Sequence, residues 1–214
     1  MNAASFFHSL YGEEAPGHLV LWTRQDKHAY WLPADDLETA GQLAEQLAIT
    51  YDVYCGVALQ DKAAAFARWQ RNNPDNRGDP TTRGYAETAK ALPGLWVDVD
   101  VQGPAHKAAN LPPTKDAALA LIREFPLPPT LVVDSGHGLQ AWWLFREVWV
   151  FETEADRQTA QTLACRFLVT LQANARTHGW QIDPTADLAR VLRPPGTWNR
   201  KLEPVPVRVI EEAL

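Results

Sequence analysis

Leu95-Trp96-Val97-Asp98-Val99-Asp100-Val101 is a hydrophobic run with two carboxylates set into it. Its Leu, Trp and Val content predicts a buried strand. Successive side chains of a strand point to opposite faces, so Asp98 and Asp100 share one face and Val97, Val99 and Val101 share the other. Two adjacent carboxylates repel each other and resist burial unless positive charge lies between them. Two readings follow. Either the aspartates are solvated at a strand end, or they face a divalent cation that takes oxygen ligands, Mg²⁺ or Mn²⁺.

Outward from this strand, Thr114 to Phe125 reads as a helix and Thr130 to Asp134 as a strand. Ser135-Gly136-His137-Gly138 follows as a tight connection to a strand from Leu139 to Phe145. These strands predict a largely antiparallel sheet with helices on one face, an α+β fold and not a doubly wound parallel sheet. On the N-terminal side we expect a short helix at 4–11, strands at 18–23 and 30–32, a helix from Asp35-Asp36 to Ile49, and a strand from Tyr51 to Leu59. Ala63 to Gln70 suggests another helix. Residues 72–80 are a dense cluster of turn formers, either a solvated loop or a functional one. On the C-terminal side, Thr153 with Asp156 resembles a capping box opening a helix to about Ala175, with Gly179 as a C-cap. Pro206 marks the last strand, 205–210, as an edge.

The 214 residues suit a single domain, 46% of them hydrophobic and 21% charged, the balance of an ordinary globular protein. No apolar run approaches the length of a membrane span, and the first residues lack a signal peptide's pattern. Cys55 and Cys165 stand far apart with no CxxC, which argues against a disulfide framework and a structural zinc site. The expected setting is a reducing cytoplasm. A net charge of −6 argues against a broad phosphate-binding surface, yet Arg190, Arg193, Arg200 and Lys201 cluster, as do Arg68, Arg71, Arg77 and Arg83.

Three clusters are candidates for one site. Asp98 and Asp100 are the first. Ser135 and His137 are the second: if the strand stays extended they share a face, and both can donate to phosphate oxygens, although a surface turn serves as well. Asp183 with Arg190 and Arg193 is the third, with Asp183 either a third metal ligand or a turn cap before Pro184. The arginines are either phosphate clamps or solvated charges. Together these groups suit nucleotidyl transfer by two metals. No GxxxxGK[ST] or GxSxG is present, which argues against a P-loop ATPase and an α/β-hydrolase. Trp69 and Trp198 stand beside basic residues and are either core anchors or stacking platforms for bases. The loop at 72–84 is a candidate template contact.

The three clusters, in this order, resemble the archaeo-eukaryotic primase superfamily, in particular the primase-polymerase domains of plasmid, phage and mobile-element replication proteins. Leu95 to Asp100 looks like its DxD motif, Leu131 to Gly138 like its SxH motif, and Ile182-Asp183 like its third. The run from Arg190 through Arg193-Pro194-Pro195-Gly196-Thr197-Trp198-Asn199-Arg200-Lys201 is similar to the family's R-x-x-R-x-P-G-T-x-N-x-K ending. Val53 to Ala58 and Arg83-Gly84 also fit, so the likeness covers roughly residues 50–202.

The resemblance implies an RRM-like antiparallel catalytic sheet at about 90–202, joined to an N-terminal α/β module at about 1–50 that takes in part of the loop region. It implies Mg²⁺ or Mn²⁺ held by Asp98, Asp100 and Asp183. It also implies that Ser135 and His137 hold the triphosphate, with Arg190, Arg193 and Lys201 supporting nucleotide or template. The expected activity is that of a DNA primase-polymerase, with nucleoside triphosphates and a single-stranded DNA template as partners. A helicase or C-terminal primase module would accompany it in a full-length protein, and no membrane. The competing readings are a catalytically weak single-strand-binding replication module, a metal-dependent nuclease and a DxD glycosyltransferase.

Overall fold

The computed structural model describes residues 1–76, 78 and 80–213. Its chain order is α1 (Ala3–Tyr11), β1 (His18–Thr23), β2 (Ala29–Pro33), α2 (Leu37–Leu47), β3 (Val53–Gly56), β4 (Leu59–Gln60), α3 (Lys62–Asn72), β5 (Ala89–Asp100), α4 (Lys115–Arg123), β6 (Leu131–Asp134), β7 (Gly138–Val150), α5 (Glu154–Thr177), β8 (Val191–Leu192), β9 (Trp198–Asn199), β10 (Val205–Pro206) and β11 (Arg208–Glu212). Among the described residues nine strands form one sheet in the order β11-β6-β7-β5-β4-β1-β3-β8, with β2 on the other edge of β1. Every pairing is antiparallel. This is the expected α+β class. No helix among the described residues is long and apolar enough to cross a membrane.

Alternation along β5 divides the core. Val97, Val99 and Val101 pack with Leu121 and Ile122 of α4 and with Phe167, Leu168 and Leu171 of α5. Trp96, on the face of Asp98 and Asp100, packs into a second cluster with Phe6 and Phe7 of α1, Ala40 of α2 and Trp142 of β7. Helices therefore cover both faces of the sheet, not the one expected. The cause lies in the first 50 residues, where α1 presents a whole apolar side to β5 and β7.

Three further boundaries differ from expectation. The strand of Asp98 begins six residues early, at Ala89, because a register shift between Leu92 and Gly94 takes up Pro93 and lets the ladder with β7 continue. β7 correspondingly reaches Val150. The 51–59 strand is broken into β3 and β4, both on β1, so that β8 pairs with one piece and β5 with the other. The local signals held elsewhere. Thr153 and Asp156 form a reciprocal capping box. Past the end of α5, the N–H of Trp180 donates to the carbonyl of Ala175 and that of Gly179 to the carbonyl of Arg176. The strand expected at 205–210 is instead split: Val205–Pro206 pairs with β9 in a separate two-stranded sheet, and β11 pairs with β6 at the edge of the main sheet.

Candidate active site

Asp98 and Asp100 lie at the C-terminal end of β5, opposite Gln140 and Gly138 of β7. A side chain at Gly138 would meet the Val99 carbonyl at 2.5 Å, so only glycine lets the hairpin close against this end of β5. Burial first, and then the Asp100 carboxylate, pushes the Asp98 carboxyl up to about 7. The opposing influences are distant charges, Arg193, Lys201 and Arg190, and not a hydrogen bond. Asp100 is also raised, by burial, and is pulled back chiefly by His106. The His106 Nδ1 lies 3.0 Å from Asp100 Oδ2. His106 is carried by the turn that leaves β5, and its Nε2 is buried with no partner.

The Ser135-Gly136-His137 segment does not continue β6 in extended form. It is a two-residue hairpin turn: the Ser135 N–H donates to the Gly138 carbonyl at 3.0 Å, and Gly136 has a φ of +97°, which favours glycine. Three contacts fix it. Asp134 Oδ1 accepts from the Gly136 N–H at 2.9 Å, Lys115 Nζ binds Asp134 at 2.6 Å, and Asn199 Nδ2 donates to the Ser135 carbonyl at 2.7 Å. The last couples the SxH turn to the P-G-T-x-N run, 64 residues away. His137 is held below its ordinary range by burial and then by His106, so the two imidazoles are neighbours. The His137 Nε2 is buried without a partner, as is the Oε1 of Gln140 beside Asp98.

Asp183 is exposed, on an irregular stretch anchored on either side. The Ile182 carbonyl accepts from Gln172 Nε2 at 2.9 Å, and the Thr185 carbonyl accepts from Trp96 Nε1 at 3.0 Å. It lies close enough to Asp100 to raise that carboxyl. Among the described residues no three His, Cys, Asp or Glu side chains converge closely enough to cage a metal. The donor chemistry nevertheless suits a hard divalent cation: two carboxylates side by side on one face, one of them with no hydrogen bond holding its charge.

The two arginines differ. Arg190 pairs with exposed Asp187 at 3.0 Å and donates to the Pro184 carbonyl, bracing the stretch that carries Asp183. Arg193 is 5% exposed, which excludes the solvated-charge reading. Its guanidinium donates to Asp52 Oδ1 at 2.7 Å and lies 4.2 Å from the Tyr54 ring centre, with its Nε unpartnered. Asp52, which sequence reasoning missed, is 2% exposed and also accepts from the Arg200 N–H at 3.0 Å and from Gln25 Nε2 at 2.9 Å. Lys201 is exposed, and its charge reaches Asp98, Asp100, His106 and His137.

His106 and Gln140 also escaped the sequence reading. His106 sits in Gly103-Pro104-Ala105-His106-Lys107, a turn with nothing to mark the histidine. Gln140 was legible as the one amide in the otherwise apolar run 139–145 expected as a strand. Of the two tryptophans singled out, Trp69 is 6% exposed and belongs to the core of α3, because its helix turns it inward. Trp198 is 40% exposed. In the candidate template loop, Arg77 and Asp79 lie outside the described residues.

Three solved structures match 99% of this chain. They are the primase-polymerase domain of cyanophage S-2L (TM-score 0.55, 13% identity, 89% of that chain), the primase RepB′ (0.53, 17%, 57%), and the catalytic domain of RepB′ in complex with initiator DNA (0.51, 16%, 86%). This is the archaeo-eukaryotic primase-polymerase fold. No family profile and no curated protein sequence matches the chain. In the primase-polymerase fold found here, the DxD strand, the SxH hairpin and the Arg190–Lys201 run come together at one end of the sheet, as their contacts show.

Proposed function

We propose that this chain is a DNA primase-polymerase, adding nucleotides from nucleoside triphosphates to a strand paired with single-stranded DNA. The observation that carries the reading is the carboxylate corner. Asp98 is half-buried beside Asp100, among the described residues no hydrogen bond holds its charge, and it lies within the field of Lys201, Arg193 and Arg190. A binding module gains nothing from such a corner, whereas nucleotidyl transfer requires a negative site that gathers divalent cations beside a positive site that gathers phosphates.

In this reading Asp98 and Asp100 would hold Mg²⁺ or Mn²⁺, with Asp183 as the third carboxylate. Bound there, the cation would supply charge neutralisation at the attacking hydroxyl and the leaving pyrophosphate. Ser135 and His137 would bind the triphosphate at the hairpin turn, whose backbone is fixed by Asn199 and Asp134. Lys201 has no ion pair among the described residues and would meet the phosphates as a point charge. Arg193 would reach them with the part of its guanidinium that Asp52 does not hold, and Arg190 would keep Asp183 in place.

The test is incorporation of labelled nucleotides on single-stranded DNA, with and without a primer, under Mg²⁺ and Mn²⁺. Product that depends on template and disappears in Asp98→Ala/Asp100→Ala supports the polymerase, and product without a primer makes it a primase. Strand cleavage in place of synthesis would replace this reading with a nuclease. Failure of both in a folded protein that binds DNA would leave a binding module.

A further inference from the structure

The solvent side of the N-terminal half of the sheet carries a line of aromatic and cationic groups. Trp22 of β1 and Tyr54 of β3 stand opposite each other across the ladder, while their neighbours Leu21 and Cys55 face the core. On an open sheet face these positions are ordinarily polar. Both rings are half-buried, with centres 5.6 Å apart. The Arg83 guanidinium lies 5.2 Å from the Trp22 ring centre, and that of Arg193 lies 4.2 Å from the Tyr54 ring centre. Arg83 is held there by its own segment, since Trp31 Nε1 donates to the Thr82 carbonyl at 3.2 Å.

Two clefts adjoin this line. One, of about 530 Å³, is lined by Trp22, Lys27, Thr82 and Arg83. The other, of about 450 Å³, is lined by Arg24, Arg200, Lys201 and Pro104. The β1–β2 turn separates them, with Arg24 and Gln25 facing one and Asp26 and Lys27 the other. The path therefore runs from Arg83 and Trp22, past Arg24, to Lys201 beside the carboxylates. Five cations, Arg83, Lys27, Arg24, Arg200 and Lys201, line the two clefts beside two carboxylates, Asp26 and Asp52, on a chain of net charge −6.

We propose that this path is a single-stranded DNA track, with unpaired bases stacking on Trp22 and Arg83 and phosphates following Arg24 and Lys201, while the Arg200 guanidinium is held by the Ala48 and Ile49 carbonyls. Aromatic rings flanked by arginines accept the π-face of any base, and only an unpaired base exposes that face. Duplex DNA could use the cations alone. That the bound strand serves as template rests on the polymerase reading above.

The experiment is fluorescence anisotropy of a labelled oligothymidylate with the full chain, in EDTA and without nucleotide, so that no chemistry is involved. Trp22→Ala and Arg83→Ala, each checked for wild-type circular dichroism and melting, are expected to raise Kd about 10- to 100-fold. Trp22→Phe is expected to restore most of the loss, since a ring remains. Wild-type affinity in folded Trp22→Ala and Arg83→Ala would overturn the track, as would equal affinity for duplex and single strands. Loss of synthesis with these binding results intact would overturn the polymerase reading and leave the track standing.

Discussion

Two aspartates near the same corner, Asp52 buried and Asp98 half-buried, are treated oppositely by the fold. Asp52 is surrounded by donors: Arg193, the Arg200 N–H and Gln25 all point at its two oxygens. Among the described residues Asp98 receives no hydrogen bond, and burial together with the neighbouring Asp100 carboxylate pushes it up to about 7. A buried charge is tolerated when paired and costly when not. Asp52 is therefore placed to hold structure, and Asp98 is kept in a strained electrostatic state that a cation would relieve.

The sharpest break of this comparison is in activity. On the polymerase reading, Asp98→Ala lowers nucleotide incorporation by about 10²–10³-fold or more while the melting temperature holds or rises. Asp52→Ala reverses the pattern and acts first on stability. Removing one partner of a buried pair costs about 3–5 kcal/mol, and a chain of this length loses roughly 2–4 °C per kcal/mol, so calorimetry is expected to show melting lowered by about 6–20 °C.

A third experiment sharpens the difference through pH. The folded carboxyl of Asp98 titrates near 7 and the unfolded one near 3.9. Its folded pKa is raised, so its contribution to stability is complete below about pH 4 and is lost as pH rises through about 7. In EDTA, Asp98→Asn is expected to match the wild type at about pH 4 and to melt higher at pH 8, by up to roughly 8–16 °C for a carboxyl moved from near 3.9 to about 7. A variant equally stable or less stable at pH 8 would show that Asp98 is not strained. The smallest effect concerns Cys55, whose backbone pairs with Leu192 beside Arg193 and whose thiol burial raises well above its ordinary value. Under a thiol reagent at pH 8, exposed Cys165 labels readily and Cys55 stays unlabelled until the protein unfolds, as mass spectrometry would read.

The catalytic strand, its facing valines, the SxH turn and the helix caps were legible because each depends on side chains within a few residues of one another. Period-two alternation placed Asp98 with Asp100, and the Thr153–Asp156 box opened α5 where expected. What was not legible depends on distant partners. Nothing near Asp52 in sequence shows that Arg193, 141 residues on, will bind it. Nothing near Trp69 separates a tryptophan turned into the core from one offered to solvent, and the two-sided helical cover arises only when α1 returns to β5 and β7.

By itself, then, the order of residues determined an antiparallel α+β chain with two carboxylates on one face of a strand, a glycine-flanked histidine turn and a cationic C-terminal run. Those features arise from backbone periodicity and steric preference, which act locally. Only the tertiary structure decided that Asn199 grips the SxH turn, that His106 meets Asp100, that Arg193 is shared between Asp52 and Tyr54, and that Trp22 and Arg83 line up toward Lys201. Charge and stacking act through space, and the distances through which they act exist only once the sheet has closed.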